Sequence, residues 1–438
     1  CHQDEYVWID LFCCPQHGLL APTFHRDSFL EIVQQIGSVT LVLKPITKPI
    51  TLTRLWCIFE VFICAHCGGK LDVAMPRRVW KSFLRAARED IDAFQRAFAS
   101  VRAAKCMTTS ARDKQKITDS LKEAGGFSVV DQVVMRAMKQ WLMALLERES
   151  AKSQDEEERA GYLHSLGSVH LSNQELGKAQ ECFNTAWHAR KLALGSEHRQ
   201  TLSSMYSLAT VYTHQNKLSA AKDMLETCLK LQRHALGEDD PHTLATMNGL
   251  ATAMERKKED AAAEAMWADC LARKQAVMGR ASPSVVTTMG NLAVLYNRQA
   301  RFGEAEALYK ELVRLQTERN GAQHPDTLLG LHHLALLYRN QGRSGRALGV
   351  LEACLHTAEA SLGPDHPLTM DTLHELGLLH SMLGDSARAA EVLERCWRRR
   401  RRALGAGAAQ TRETEECWVA VRYARRCTPC APAQCTIT

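Results

Sequence analysis

Between residues 159 and 410 the apolar positions fall in paired runs at helical spacing. In one unit Leu292, Ala293, Leu295 and Tyr296 mark the first face, a short polar turn follows, and Ala305, Leu308, Tyr309 and Leu312 mark the second. Recurrence at i, i+3 and i+4 predicts two amphipathic helices back to back, a helical hairpin. The hairpin then recurs on a fixed beat. Gly195, Gly237, Gly279, Gly321, Gly363 and Gly405 stand 42 residues apart. Ala179, Ala221, Ala263, Ala305, Ala347 and Ala389 keep the same step, as do Leu166, Leu208, Leu250, Leu292, Leu334 and Leu376, each followed by Ala or Gly. A fourth column reads Thr201, Thr243, Val285, Thr327, Thr369 and Thr411, with Pro241, Pro283, Pro325 and Pro367 two residues ahead of four of them. Proline and threonine there mark the start of a new helix.

The small residue after each Leu and the Ala of the second helix let the two helices approach closely; a larger side chain would overpack the seam at a cost of about 1–3 kcal/mol. Six units are predicted, 159–200, 201–242, 243–284, 285–326, 327–368 and 369–410, with a capping helix over 411–425 and a loose tail over 426–438. Such arrays bury a continuous core by stacking, and they commonly work by holding other proteins.

Composition fits one long solenoid plus a smaller domain: 438 residues, 45% apolar and 24% charged. The formal net charge of +6 is mild for this length and does not call for nucleic acid. No apolar run approaches the roughly 18–20 residues of a membrane-spanning helix. Of 16 cysteines, Cys228, Cys270, Cys354 and Cys396 share one column seven residues after the repeated Ala. Free Cys serves there as a small hydrophobe, so a reduced, cytoplasmic protein is expected. The chain opens on Cys1, which leads to the expectation of an upstream portion.

The small-residue pattern resembles the tetratricopeptide repeat (TPR), whose usual unit is about 34 residues. The inner spacing is kept here, so the added residues are expected at the outer ends of the helices. "NLAVLYNRQARFGEAEALYKELV", with closing segments such as "NGAQHPDT" and "LGPDHPLT", is similar to the long repeats of the kinesin light chain family. The resemblance implies a right-handed superhelix whose first helices line a concave groove that binds peptides or proteins. The stripe away from the Leu-Ala seam holds His164, Tyr206, Asn248, Gly290, His332 and His374, and seven residues on Thr213, Glu255, Asn297 and Arg339, with Arg256 and Arg298 beside it. Asn amides bond an extended backbone and Arg selects carboxylates. Tyr206, Asn248, Arg256, Asn297, Arg298, His332, Arg339 and His374 are therefore the candidate groove residues for an acidic peptide. In the resembled family an "NNLA" signature supplies groove asparagines; Asn248 matches its first Asn and Asn291 its second. The heptad coiled coil that joins such light chains to a motor is not visible.

The first 150 residues differ in kind. "YVWIDLF", "SVTLVL" and "KLDVAM" read as strands with helical patterns between them, an α/β signature. "LTRLWCIFEVF" after the second strand resembles the Trp-Cys-x-x-Glu segment of Toll/interleukin-1 receptor (TIR) domains at Trp56, Cys57 and Glu60. That resemblance implies a truncated, flavodoxin-like TIR domain over 1–76 that self-associates. Alternatively it implies an NAD-cleaving enzyme with Glu60 as the catalytic carboxylate, which would stabilise the positive charge developing on the sugar. Residues 77–150 read as a helical completion or connector broken at "GGF", and 151–158 as a charged joint. The expected fold is thus mainly α, a TPR-type solenoid behind a small α/β domain, with no cofactor unless NAD and with no metal. Cys64 and Cys67 form one CxxC and Cys427 and Cys430 another, too far apart in sequence and too unlike in context to read as a zinc site. Arg398 to Arg402 read as a solvated helix end rather than a polyanion site.

Overall fold

The computed structural model describes residues 35–42, 50–75, 77–99, 101, 103–108, 111–123 and 126–427. The chain divides into two compact units, 1–145 and 146–438.

In the first unit, β1 (Ser38–Val42) and β2 (Lys70–Ala74) pair in parallel, Ser38 opposite Lys70 through Val42 opposite Ala74. A parallel pair needs a crossover, and α1 (Leu55–His66) lies within it. Leu55, Ile58, Phe59, Val61, Phe62, Ile63 and Cys64 of α1 are buried, the pattern of a helix enclosed on most sides. The predicted strands at 38–43 and 70–75 are present; the one at 6–12 lies outside the described residues. Then come α2 (Arg77–Glu89), α3 (Ile91–Ala99), α4 (Ala111–Glu123) and α5 (Phe127–Lys152). Gly126, at φ +90°, breaks the chain just before α5. Fully buried Phe83 of α2 meets Phe94 of α3 edge-on at 5.1 Å and Trp141 of α5 at 5.8 Å, so three helices share one aromatic core.

The second unit is the array. Its first hairpin is α6 (Glu156–Ser172) and α7 (Leu176–Leu194). There follow α8 (Arg199–His214) and α9 (Leu218–Leu236), α10 (Pro241–Arg256) and α11 (Asp260–Met278), and α12 (Pro283–Arg298) and α13 (Phe302–Asn320). The last two hairpins are α14 (Pro325–Asn340) with α15 (Ser344–Ser361), and α16 (Pro367–Met382) with α17 (Ser386–Leu404); α18 (Ala409–Cys427) covers the end. The joint expected over 151–158 is shorter than that: α5 runs to Lys152 and α6 starts at Glu156. Glu156, Glu157 and Glu158 are first-turn residues, where the helix dipole favours acids, and the Asp155 carboxylate caps them by accepting from the Glu157 and Glu158 N–H groups. The predicted tail from residue 428 on, Cys430 included, lies outside the described residues.

Each column acquires a physical reason. Where Gly follows the Leu, the opposing second-helix residue is close: a Cβ at Gly167 would lie 2.9 Å from the Phe183 ring and one at Gly377 2.7 Å from Leu393. The glycines of the 42-residue beat hold φ between +77° and +96°. Where they cap a second helix, as Gly237 does, ψ is near 165°, a region that is essentially glycine's alone. The threonines mark the helix starts as expected, though from inside the first turn. Thr243, Thr327 and Thr369 sit inside the first turn and donate to the carbonyls of Gly237, Gly321 and Gly363 at 2.8–2.9 Å, while Asp240, His324 and His366 cap the helices. The column cysteines Cys228, Cys270, Cys354 and Cys396 are buried and unbridged, each donating Sγ–H to a first-helix carbonyl of the same hairpin. Burial raises their thiol pKa values.

Candidate interaction groove

Successive first helices touch one another, α6 on α8, α8 on α10, and so on to α16 on α18, while no pair of successive second helices packs comparably. The first helices therefore form the inner side of the array. Because they are so close, the stripe expected to stand free for a ligand is in part engaged by the array itself. Residues 40 apart along the stripe are hydrogen-bonded across four junctions; at α8–α10 the corresponding pair, Tyr206 and Thr246, shares no hydrogen bond. His164 shares a hydrogen bond with Ser204 at 3.2 Å, His332 with Thr372 at 3.2 Å and His374 with Thr414 at 3.3 Å. Asn248 Oδ1 accepts from Thr288 and from Asn291, both at 3.3 Å.

At three junctions a buried cation from the second helix completes the rung. Arg190 donates to Ser204 at 2.8 Å, Lys274 to Thr288 at 2.9 Å and Arg400 to Thr414 at 2.7 Å. All three are at most 4% exposed. Arg400 also pairs with Asp371 at 2.6 Å. Burial, with the Arg190 charge adding to it, pushes the His164 pKa down to about 3. Burial and the neighbouring His333 push His332 down to about 4, and burial then Arg400 lower His374. These rings are neutral at neutral pH, so the rungs are hydrogen bonds between neutral rings and hydroxyls rather than ion pairs.

The remaining candidates lie at the same junctions. Tyr206 is half-buried with its ring against Gly249, where a Cβ would come within 3.0 Å. Arg256 donates to the Thr213 carbonyl at 2.5 Å and to Asn216 at 3.3 Å. Arg298 pairs with Glu255 and, at 2.5 Å, with Asp260; Arg339 pairs with Glu375. Asn297 accepts from Asn340 at 3.3 Å. Arg256 and Arg298 stay exposed, and Asn248, Asn297 and Arg339 half-buried, so each keeps a face towards solvent. The arginine run is likewise divided: Arg398 bonds Glu394, Arg399 bonds Glu359, Arg400 is buried and Arg401 stacks on Trp397. In the first unit Glu60 is half-buried on α1, one turn beyond Trp56, which meets Phe59 edge-on at 6.1 Å.

One junction carries no side chain at either position. Between α12 and α14 both rung positions are glycine, Gly290 and Gly330, and a cavity of about 340 Å³ opens there. Val286, Val294, Leu312, Leu315 and Leu329 make most of its apolar wall, and Tyr309, stacked on His333 at 6.1 Å, forms part of it. Gln316 Oε1 is shielded from solvent without a hydrogen-bond partner. Sequence reasoning missed the rungs, although their signal was there: Ser204, Thr246, Thr288, Thr372 and Thr414 form a further 42-residue column, interrupted only at Gly330.

Among solved structures, the chain is similar to the kinesin light chain TPR-like repeats of Podosopora anserina, at 25% identity over 47% of this chain and 97% of that one, with a TM-score of 0.43. It is also similar to BtubC (BKLC) from P. vanneervenii, at 18% identity over 51% and 92% with a TM-score of 0.45. A third is a Rap protein complexed with Competence and Sporulation Factor, at 12% identity over 78% and 98% with a TM-score of 0.44. No curated protein matches the chain. The tetratricopeptide repeat model matches residues 158–234, 242–318, 284–355 and 326–402, more than half of the chain, and with the hairpin geometry this places the protein in the tetratricopeptide repeat family.

Proposed function

We propose that the array is a protein-interaction scaffold whose inner face takes an extended, acidic segment of a partner protein. The observation that carries this reading is the stripe of amides and guanidinium groups at Asn248, Asn297, Arg256, Arg298 and Arg339, held in place by neighbouring repeats yet still open on one side. A guanidinium already oriented by one carboxylate exchanges it for another at small ordering cost. The free column cysteines suit a reducing, cytoplasmic setting.

Reversing charge at two exposed positions, Arg256→Glu with Arg298→Glu, tests the reading in the full chain. Fluorescence anisotropy with a labelled Asp/Glu-rich peptide should show binding weakened by about tenfold or more, given charge-assisted bonds of about 1.5–3 kcal/mol each. Helicity should stay near that of the parent, with melting lowered only modestly by the loss of the exposed contacts to Glu255, Asp260 and Asn216. Unchanged affinity, or loss of affinity only in step with loss of helicity, would remove the groove from the account.

A second reading attaches to the first unit, because β1–α1–β2 sets Glu60 on the crossover helix of a parallel pair, as the TIR resemblance requires. Self-association through this unit, or NAD cleavage, are its two forms. Nicotinamide release from NAD by the full chain, absent in Glu60→Gln, would support the enzyme form; equal release by both would sink it.

A further inference from the structure

We infer that the cavity between α12 and α14 is a binding site for a small heteroaromatic molecule bearing an N–H donor, of the azole class. The equivalent space at another junction is filled. At the neighbouring junction the His332 imidazole occupies the rung and bonds Thr372. At Gly290 the ring is missing and the space it would take is open, whereas at Gly330 the place of the missing hydroxyl is taken up by the ends of Gln316, Leu312 and Val313. The gap is thus the negative of an imidazole rung on the Gly290 side, with the Gln316 amide standing where the neighbouring junction has the Thr372 hydroxyl.

Its walls set the ligand's chemistry. Val286, Leu312 and Leu315 favour an apolar ring, and the flat Tyr309–His333 stack gives an aromatic surface beside it. Thr287, Arg319, Asn320 and Asp326 also line the cavity, but among the described residues the one lining atom that is buried without a hydrogen-bond partner is Gln316 Oε1, which lies 2.8 Å from where a Cβ on Gly330 would be and so takes the place of the missing rung hydroxyl. A shielded acceptor lacking a donor costs about 1–3 kcal/mol, recovered by a ligand that supplies one. A volume of about 340 Å³ also falls within the range of small-molecule sites. Asn291 is not the missing donor, since its amide is turned to Asn248 across the preceding junction. The site does not rest on peptide capture along the groove.

Benzimidazole and 1-methylbenzimidazole, titrated into the full chain and followed by thermal shift and NMR, test the assignment. They share the ring and differ in the N–H. Benzimidazole should bind saturably, and its methylated form about tenfold more weakly, the difference one hydrogen bond makes. Gly290→His should fill the cavity and abolish saturable binding of both. A Cβ there comes no nearer than 3.5 Å to Leu312, so the backbone accepts it. Should that variant misfold, Gln316→Leu serves instead: it removes the acceptor and should bring the two ligands to equal affinity. Absence of saturable benzimidazole binding overturns the proposal. So does equal binding of the two ligands to the parent protein, or an unchanged benzimidazole affinity in a folded Gly290→His or in Gln316→Leu.

Discussion

The unit that contains α14 and α15 has two unlike borders. On the α16 side His332 is buried and bonded to Thr372, and Arg339 is paired with Glu375. On the α12 side Gly290 faces Gly330 across a cavity of about 340 Å³. The backbones are alike and the seam residues are the same, with Leu292 and Leu334 each followed by Ala. Stacking in this array therefore depends on the Leu-Ala seam, and the polar rung is an addition that the α8–α10 and α12–α14 junctions lack. A rung lends directional bonds; where Tyr206 replaces it the volume stays filled, and where both positions are glycine the junction gains room for a ligand.

The largest effect that would sharpen the contrast is titration. Burial and His333 hold the His332 pKa at about 4, below its ordinary 6.5, with Arg339 adding to the shift and Asp371 opposing it. The unfolded chain then binds the extra proton first, so this stabilisation is complete above about pH 6.5 and is lost as pH falls towards 4. The ceiling is about 3 kcal/mol. His332→Asn copies the rung that Asn248 makes with Thr288 but cannot titrate. Urea midpoints at pH 7 and pH 4.5 should fall less in that variant than in the parent, and parallel slopes would show that the His332 ring is not what the acid attacks.

Somewhat smaller is the cost of turning one border into the other. His332→Ala removes a buried ring and leaves Thr372 without its partner, at about 2 kcal/mol. Hydrogen exchange should quicken in α14 and α16 with little change in α10. Uniform quickening across the array would mean that the junctions are not separate units of stability.

How legible this was depends on what each residue does. The hairpins, their seams and their 42-residue phase could be read because packing demands small or apolar side chains at fixed places, as at Leu334 and Ala335. The beat glycines could be read because φ near +90° admits little else. A second turn column was hidden: Gln174, Asn216, Lys258 and Ala300 take φ of +58° to +66° where Gly342 and Gly384 stand in later units, and tolerance of side chains there blurs the signal. The candidate site was half legible. His332 and Asn248 were picked from the right stripe, but a stripe alone does not say whether a residue meets solvent or the next helix. The spacing of 40, one period less two, carries that information, since it marks where the following first helix leans on its predecessor. In the first unit β1, α1 and β2 were readable from β-branched runs and the apolar crossover, whereas the environment of Glu60 depends on tertiary packing that no local pattern encodes.

The finest test compares the two glycines of the empty border. Each sits inside a helix, where Gly costs about 1 kcal/mol relative to Ala. At Gly330 an added Cβ would lie 2.8 Å from Leu312 Cδ2 and from Gln316 Oε1 and 3.0 Å from Val313 Cγ2. Those side-chain ends must yield, so Gly330→Ala should lose about 1 kcal/mol net once overpacking is set against propensity. At Gly290 the nearest atom is Leu312 Cδ1 at 3.5 Å, an ordinary contact. Gly290→Ala should therefore raise stability by about 0.5–1 kcal/mol, chiefly by restricting the unfolded chain. Opposite shifts of the urea midpoint at an unchanged m-value are the expected result. Equal shifts would mean that the space beside Gly290 closes in solution, and with it the difference between the two borders.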